Sequence, residues 1–384
     1  MTDLLARPRA LRLAARLALA AGLLAAAAAA RAGDGVIVSG SAYVDSWGIP
    51  DRSVGRGAPQ GLTLDASLKV GVDIHDDLSF TAKACASCHG FEMEHVALEY
   101  TPKTWFNVQA GRILVPFGEY SQRADPSGHK PASAPLIYDM GRMAYGARTV
   151  MNLGIVPMPY SDTGALAYGV AWLGERLQVW YGLYGVAGLK GSNDVDWMAL
   201  RTSSYSDNNR ELAGGARLAL TYSADANAFI GDATLGGSFT GGRYDKDAKL
   251  KYLMWGVDAS FRVGPFTARG EYAARRTDLD PDATGYRYGL VDDWFEKEGW
   301  YGELEHPLGR YLAAVYRFDE LRRKGAPLPG ASAELSVDSR IQRYTGGLVV
   351  TPAQGVFVKL SYEYWDTTDF EDFHSYHVGM GGAF

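Results

Sequence analysis

The sequence predicts an all-β protein, a transmembrane antiparallel β-barrel of about 16 strands that lies in a bacterial outer membrane. Three observations carry this prediction: an export signal at the N-terminus, repeated strands with one apolar face, and connections that alternate between short and long. The 46 glycines and 23 tyrosines among 384 residues fit a chain of many strands and turns. The unbroken length of the apolar faces favours a membrane barrel over a soluble sandwich.

Residues 1–32 have the features of a cleavable signal peptide. Four arginines precede the apolar run LALAAGLLAAAAAA, which ends at Ala30-Arg31-Ala32, the small-x-small pattern that signal peptidase recognises. Cleavage before Gly33 leaves residues 33–384 as the barrel. An N-terminal membrane anchor is the alternative, which Arg31 disfavours because it interrupts the apolar run. No later stretch reaches the ~20 apolar residues that a transmembrane helix needs.

Period-two alternation marks the strands. In residues 62–74, LTLDASLKVGVDI, every even position is apolar and every odd position is polar or glycine. This pattern is expected for a strand with lipid on one side and a wet lumen on the other. It recurs at 210–222, 265–275 and 355–365. Counting such segments gives about sixteen, an even number that is typical of bacterial barrels.

The connections between strands orient the barrel. Short links lie at 75–77, 101–103, 174–175, 224–226, 264–265, 307–308 and 353–354, and long links at 46–60, 118–163, 187–209, 276–293 and 320–339. Because barrels have short periplasmic turns and long extracellular loops, the first strand is expected to run outward from the periplasm. The long link at 118–163 has enough residues to fold into the lumen as a constriction loop, or to cover the mouth. Phe384 ends an amphipathic last strand of the kind that barrel-assembly machinery recognises.

The chemistry-bearing motif is Cys85-Ala86-Ser87-Cys88-His89. The sequence C-x-x-C-H is the signature of c-type haem attachment, in which two thiols bind one haem and the histidine is the proximal iron ligand. The chain has only these two cysteines, and it is exported. We therefore predict one covalent haem c on Cys85 and Cys88, with His89 on the iron. The alternatives are a C-x-x-C disulfide, a thioredoxin-like pair without its βαβ context, and a zinc site that is one ligand short.

Alternation also places the haem-attachment hairpin, residues 78–100. Cys85 is predicted to face the lumen, and so are Met93 and His95 on the returning strand. His95 is the first choice for the distal iron ligand, Met93 the second, and His129 from the long loop the third. The weaker candidate on the last strand is His377. The plainer interpretation makes His95 a polar residue that lines the lumen.

Residues 91–120 resemble the early hairpin of outer-membrane porins of the phosphate-selective type. The resemblance rests on the Tyr-Thr-Pro turn at 100–102 and on a strand end that reads Gly-Arg-Ile-Leu-Val-Pro-Phe-Gly at 111–118. It implies a porin-like barrel and says little about the solute.

A haem motif in an exported barrel also resembles the fused monohaem cytochrome–porins of iron-oxidising bacteria. That resemblance implies electron transfer between a periplasmic cytochrome or other electron carrier and an extracellular donor or acceptor such as iron. No acid–base pair or nucleophile accompanies the motif, which disfavours turnover of a bound substrate. The alternative function is a general or anion-preferring diffusion porin in which Cys85 and Cys88 form a disulfide. Outer-membrane lipid is an expected partner, whereas the dispersed net charge of −6 disfavours nucleic acid.

Overall fold

The computed structural model describes residues 35–50, 60–87, 90–138, 143–145, 150–152, 154–191, 201–202, 207–225, 228–280, 292–325, 339–368 and 371–384. The predicted signal peptide and its cleavage site lie outside these residues. Within the described residues, no helix has the length and apolar character to cross a membrane.

Sixteen antiparallel strands close into one barrel, in which each strand pairs with its neighbours in sequence and the first pairs with the last. In chain order, β1 to β16 are Val36–Gly48, Gln60–His75, Leu78–Ser87, Gly90–Lys103, Phe106–Leu114, Ser161–Leu173, Leu177–Val186, Ala213–Tyr222, Ile230–Arg243, Lys251–Val263, Phe266–Asp278, Trp294–Pro307, Leu312–Gly325, Ser339–Ala353, Val356–Thr367 and Phe373–Ala383. Two short ladders lie outside the barrel sheet, Met143–Tyr145 with Val150–Asn152 and Leu189–Lys190 with Arg201–Thr202. The predicted barrel and its strand number are confirmed.

The predicted apolar faces point outward. On β2, the side chains of Leu62, Leu64 and Leu68 are 40, 50 and 49% exposed, as expected where lipid replaces water. The alternate residues Ser67 and Lys69 pair with Cys85 and Lys83 of β3 on the inner face. An outward apolar face is the arrangement that a transmembrane barrel requires.

Aromatic side chains mark the periplasmic edge of the apolar band. Exposed rings stand at or beside the short turns that join the strands at this end: Trp105, Phe106, Trp172, Phe229, Tyr311 and Phe384. Girdles of this kind lie at the membrane–water interface of transmembrane barrels. Short turns beside an aromatic girdle are expected at the periplasmic end of a transmembrane barrel, and the turn lengths agree with the orientation that the sequence predicts.

The segment between β5 and β6 is called the constriction loop here, and its described residues 115–138 and 154–160 lie in the lumen. Many of its described apolar side chains are fully buried, among them Val115, Phe117, Leu136 and Ile155. It begins with a single 3-10 turn, Tyr120–Arg123. Of the two placements that the sequence left open for this segment, the structure shows the lumenal one.

A β-bulge interrupts the hairpin that carries the haem motif. Lys83 pairs with His95, but the next residue, Ala84, pairs with Met93, so Glu94 is the extra residue on β4. A bulge inserts one residue and therefore reverses the face of every residue beyond it. Met93 consequently shares the outer face with Ala84, and the prediction that it faces the lumen is wrong.

Candidate functional site: the lumen and its constriction loop

The constriction loop is held to β11 through one carboxylate. The backbone N–H of Tyr120 donates to Glu271 at 3.3 Å, and the Tyr138 hydroxyl donates to the other oxygen of Glu271. Beside them, the N–H of Gly118 donates to the Ser238 hydroxyl on β9 at 3.0 Å. Gly118 has a φ of +71° and leaves no room for a Cβ between Glu271 and Tyr138. Glycine is needed here because the loop backbone lies directly against the wall.

A buried lysine fixes the middle of the loop. The Lys359 ammonium on β15 donates to the carbonyl oxygens of Pro126 and His129, each at 2.6 Å, and to that of Pro131 at 3.3 Å. The rings of Tyr43 and Phe357 lie 5.2 Å from the same nitrogen. A buried ammonium is costly unless its donors are satisfied, and here loop carbonyls satisfy them.

Charged side chains of β13 and β15 hold the next part of the loop. Arg317 donates to the carbonyl of Ser133 at 2.8 Å, and the N–H of Leu136 donates to Asp319 at 3.0 Å. The Ser133 hydroxyl donates to Glu363. Because these partners lie on separate strands, the loop is docked along the β9–β15 side of the barrel.

Burial shifts the titration of two loop groups. Burial, together with the charges of Lys359, Arg123 and Arg317, lowers the pKa of His129 well below its ordinary value. Its Nδ1 lies 2.9 Å from the carbonyl oxygen of Pro131, to which a neutral imidazole donates. Burial and the neighbouring Glu271 raise the pKa of the Tyr138 hydroxyl well above its usual range. Both groups are therefore neutral at physiological pH.

On the opposite wall, a polar cluster connects the loop to β3 and β4. Lys83 lies 2.9 Å from Asp125 of the loop and 2.9 Å from Glu94, the bulged residue. The Cys85 thiol donates to Glu94 at 2.7 Å. Asp65 on β2 is the next inward-facing residue beyond Ser67, which pairs with Cys85. The lumenal cluster is defined as Asp65, Lys83, Cys85, Glu94 and Asp125.

A cavity of about 550 Å³ lies between the constriction loop and the β1–β7 side of the barrel. Charged and imidazole side chains line it: Lys69, Lys83, Glu94, His95, Glu99 and Asp125. Its floor includes Phe384 and the start of β1, so it extends from the loop toward the periplasm. The lining therefore mixes both signs of charge.

The structure brings together only part of the predicted haem site. Cys85 faces the lumen as predicted, and His95 lines the cavity beside Lys83. Cys88 and His89 follow β3 directly and lie outside the described residues. His129 is enclosed in the loop between Pro131 and the Tyr120 ring. His377 faces inward but is engaged with Asp45 at 2.8 Å.

The described surroundings of Cys85 do not fit a haem. A haem macrocycle is a broad apolar plate that is stabilised by burial against apolar side chains. Around the Cys85 thiol the structure provides an ammonium and carboxylates, with Glu94 already bonded to the thiol. His95 is the fifth residue after Gly90 on β4, about 17 Å of extended backbone, which sets His95 far below the hairpin tip. Among the described residues, no three His, Cys, Asp or Glu side chains are grouped to hold a metal ion.

Sequence analysis misses Glu94, Asp125 and the role of Lys359. Glu94 occupies a position that regular alternation assigns to the outer face, and the segment Glu-Met-Glu-His-Val contains no glycine to signal a bulge. Asp125 is one polar residue in a long loop. Lys359 lies on the polar face of the alternating segment 355–365, but its partners are loop carbonyls that no side-chain pattern reveals.

The closed 16-stranded barrel with a loop folded into its lumen is the fold of outer-membrane porins, and solved structures agree. The anion-selective porin from Comamonas acidovorans matches with a TM-score of 0.57 and 13% identity over 91% of this chain and 99% of that one. OmpF of Salmonella typhi, in complex with daunomycin, matches with a TM-score of 0.57 and 12% identity over 91% and 97%. The outer membrane channel DcaP of Acinetobacter baumannii gives 0.53 and 12% over 92% and 99%.

These likenesses show the fold alone, because the identities are low. No protein-family profile matches the sequence, and no curated protein matches it.

Proposed function

We propose that the chain is a diffusion porin that admits small hydrophilic solutes through its lumen. The observation that carries this proposal is the constriction loop, which is docked on the β9–β15 side and leaves a hydrated cavity beside the β1–β7 wall. A loop that narrows the lumen and leaves an open cavity beside it suits sieving by size. The structural likeness to an anion-selective porin and to OmpF supports the same reading.

The mixed lining of the cavity favours a general porin over a strongly anion-preferring one. Lys69 and Lys83 supply positive charge, while Glu94, Glu99 and Asp125 supply negative charge. Charges on barrel interiors tune ion passage, and a single-sign row is absent from this described lining.

The experiment is channel recording in planar bilayers, combined with swelling of liposomes in sugars of increasing size. A porin gives ohmic conductance steps and swelling rates that fall with sugar size, without saturation. Protein unfolded by boiling is the control. A barrel that migrates as folded on unboiled gels, yet gives neither conductance nor swelling, contradicts the proposal.

Covalent haem and electron transfer form the second candidate function, and the C-x-x-C-H motif favours it. The position of Cys85 on the lumenal face, next to the hairpin tip at the extracellular end of β3, is the one structural observation that supports it, and the charged surroundings of the thiol weigh against it. A periplasmic cytochrome or other electron carrier and an extracellular acceptor such as iron are the partners that this candidate requires. A haem stain on the denatured protein, with Cys85→Ala as control, tests it, since only covalent haem survives denaturation. If the exported wild-type chain shows no haem stain, the electron-transfer function is rejected and the diffusion porin is the remaining proposal.

A further inference from the structure

A groove of about 940 Å³ runs across the outer wall of the barrel, over β10 to β15. Gly270, Gly302 and Gly346 contribute no side chains to its floor, and an added Cβ at Gly346 would meet nothing within 4 Å. Its walls are aromatic and apolar: Phe261, Trp300, Leu304, Tyr316, Phe318, Tyr344 and Tyr362. The strand registers place all of these residues on the outward face, where the surroundings are lipid.

The strand β13 shows where this groove lies relative to the membrane surface. Along its outward face, Leu312, Ala314, Tyr316 and Phe318 are followed by Glu320, Arg322 and Lys324. The change from apolar to charged residues marks the extracellular end of the apolar band. The groove therefore opens at the outer leaflet, directly below a charged rim.

Two arginines face each other on that rim. Arg322 of β13 and Arg340 of β14 are direct cross-strand partners, and their side chains are 51 and 42% exposed. Like charges placed directly opposite each other destabilise a sheet. An exposed arginine pair at the mouth of an apolar groove therefore points to an anionic group that both guanidinium groups contact.

The carboxylates near the two arginines do not fill the space between the guanidinium groups in which that anion would bind. Glu320 is occupied by Arg322 at 2.8 Å and by the Gln342 amide at 2.6 Å. Glu298, the direct cross-strand partner of Arg322 on β12, accepts from Lys324 at 2.5 Å and from the Tyr272 hydroxyl at 3.1 Å. Asp366 approaches Arg340 only to 3.9 Å, and the Arg340 Nε donates no hydrogen bond among the described residues.

We propose that the groove and the arginine pair bind one anionic lipid of the outer leaflet. Its phosphate lies between Arg322 and Arg340, because guanidinium groups bind phosphate in strong, often bidentate hydrogen bonds. An acyl chain of the lipid lies along the glycine floor. Arg340 and Gly346 are six residues apart on β14, about 20 Å, which matches one extended acyl chain. This proposal depends on the membrane orientation and is independent of what passes through the lumen.

Native mass spectrometry of the folded barrel in detergent tests the proposal with two lipid probes. Phosphatidic acid and phosphatidylcholine of identical acyl chains differ in the charge and accessibility of the phosphate. The wild type should retain phosphatidic acid more strongly. The double variant Arg322→Gln, Arg340→Gln should lose roughly tenfold in retention of phosphatidic acid and little for phosphatidylcholine.

A second pair of variants tests the groove itself. Gly346→Leu adds a side chain to the floor at a position where the Cβ meets nothing within 4 Å, and it should lower retention of both lipids. Gly185→Leu is its control, since an added Cβ there also meets nothing within 4 Å and β7 is remote from the groove. Arg176→Gln, at an exposed periplasmic turn, controls for the loss of charge.

Equal retention of the two lipids by the wild type, or equal losses in the control and site variants, overturns the proposal. A groove that is covered by a second copy of the chain also overturns it, and the same spectra would show this as a dimer that Gly346→Leu disrupts. Migration on unboiled gels confirms that each variant is folded before the measurement.

Discussion

At the scale of single residues, Lys359 decides where the constriction loop lies. Replacing it in Lys359→Met keeps most of the side-chain volume and removes the donors to Pro126 and His129. Each buried carbonyl left unsatisfied costs roughly 1–3 kcal/mol, so we expect the loop to leave the wall while the barrel stays folded. Single-channel conductance should rise, and trypsin should cleave after Arg123 in the folded barrel.

Lys251→Met is the control for this change. Lys251 is an exposed residue at the start of β10, so the same substitution removes a lysine without removing a loop contact. If Lys359→Met keeps wild-type conductance and resists trypsin, then other contacts suffice to hold the loop.

His129 gives the docked loop a pH dependence. Its pKa is well below the ordinary 6.5 in the docked loop, so a released loop binds more protons below about pH 6.5. By linkage, docking is fully stable above that pH and weakens as the pH falls, by at most about 1.4 kcal/mol per pH unit. Conductance recorded at pH 7.5 and pH 5 should rise on acidification in the wild type. His129→Gln keeps a neutral side chain and should flatten this profile, and an unchanged profile in that variant would assign the effect elsewhere.

At the scale of elements, the constriction loop depends on its close approach to β11. In Gly118→Ala, the added methyl group would overlap Glu271 and Tyr138, so the loop must move away from the wall. We expect altered conductance and a loss of a few kcal/mol in loop docking, because a buried carboxylate and hydroxyl lose their partners.

Gly174→Ala separates this overlap from backbone strain. Gly174 has a φ of +72°, almost the value of Gly118, but an added Cβ there meets nothing within 4 Å. Conductance should remain at the wild-type value in Gly174→Ala. If both variants behave alike, the positive φ and not the contact with β11 is the cause.

The strands could be predicted from the sequence because the alternating pattern of each strand lies within that strand's own residues. Alternation at Leu62, Leu64 and Leu68 is a local property that lipid on one face imposes. The bulge at Glu94 could not be predicted, since it depends on how β3 and β4 pair. Docking of the constriction loop could not be predicted for the same reason, since it depends on distant segments. Glu271 and Lys359 lie more than a hundred residues from the loop atoms that they bind.

The C-x-x-C-H motif predicts haem attachment, but the motif alone does not give the side chains that would surround the haem. Five residues, Cys85 to His89, carry a specific chemical signature. The environment of a haem depends on side chains contributed by other segments, here Lys83, Glu94 and Asp125. The described neighbourhood of Cys85 is charged, so covalent haem stays a prediction that rests on the motif.

At the scale of the whole molecule, the two ends of the chain close the barrel. β1 pairs with β16, and Gly40 exchanges two backbone hydrogen bonds with Phe384, of 3.1 and 3.0 Å. Closure leaves neither of these terminal strands with a free edge in the membrane, where unpaired backbone groups are costly. The exposed Phe384 ring also belongs to the periplasmic girdle.

Phe384→Ala separates closure of the barrel from its assembly in cells. The substitution keeps both backbone hydrogen bonds with Gly40 and removes only the ring, so barrels refolded from urea into detergent should close nearly as well as the wild type. If barrel-assembly machinery recognises the aromatic residue of the last strand, as the sequence predicts, the amount of folded barrel in the outer membrane should fall severalfold in cells. Phe106→Ala removes a girdle ring of nearly the same exposure, 43% against 41%, away from the last strand and serves as the control. The measurement is the fraction of heat-modifiable protein in isolated outer membranes beside the fraction refolded in detergent. Equal membrane yields for the wild type and Phe384→Ala would show that the terminal ring contributes only as one member of the girdle.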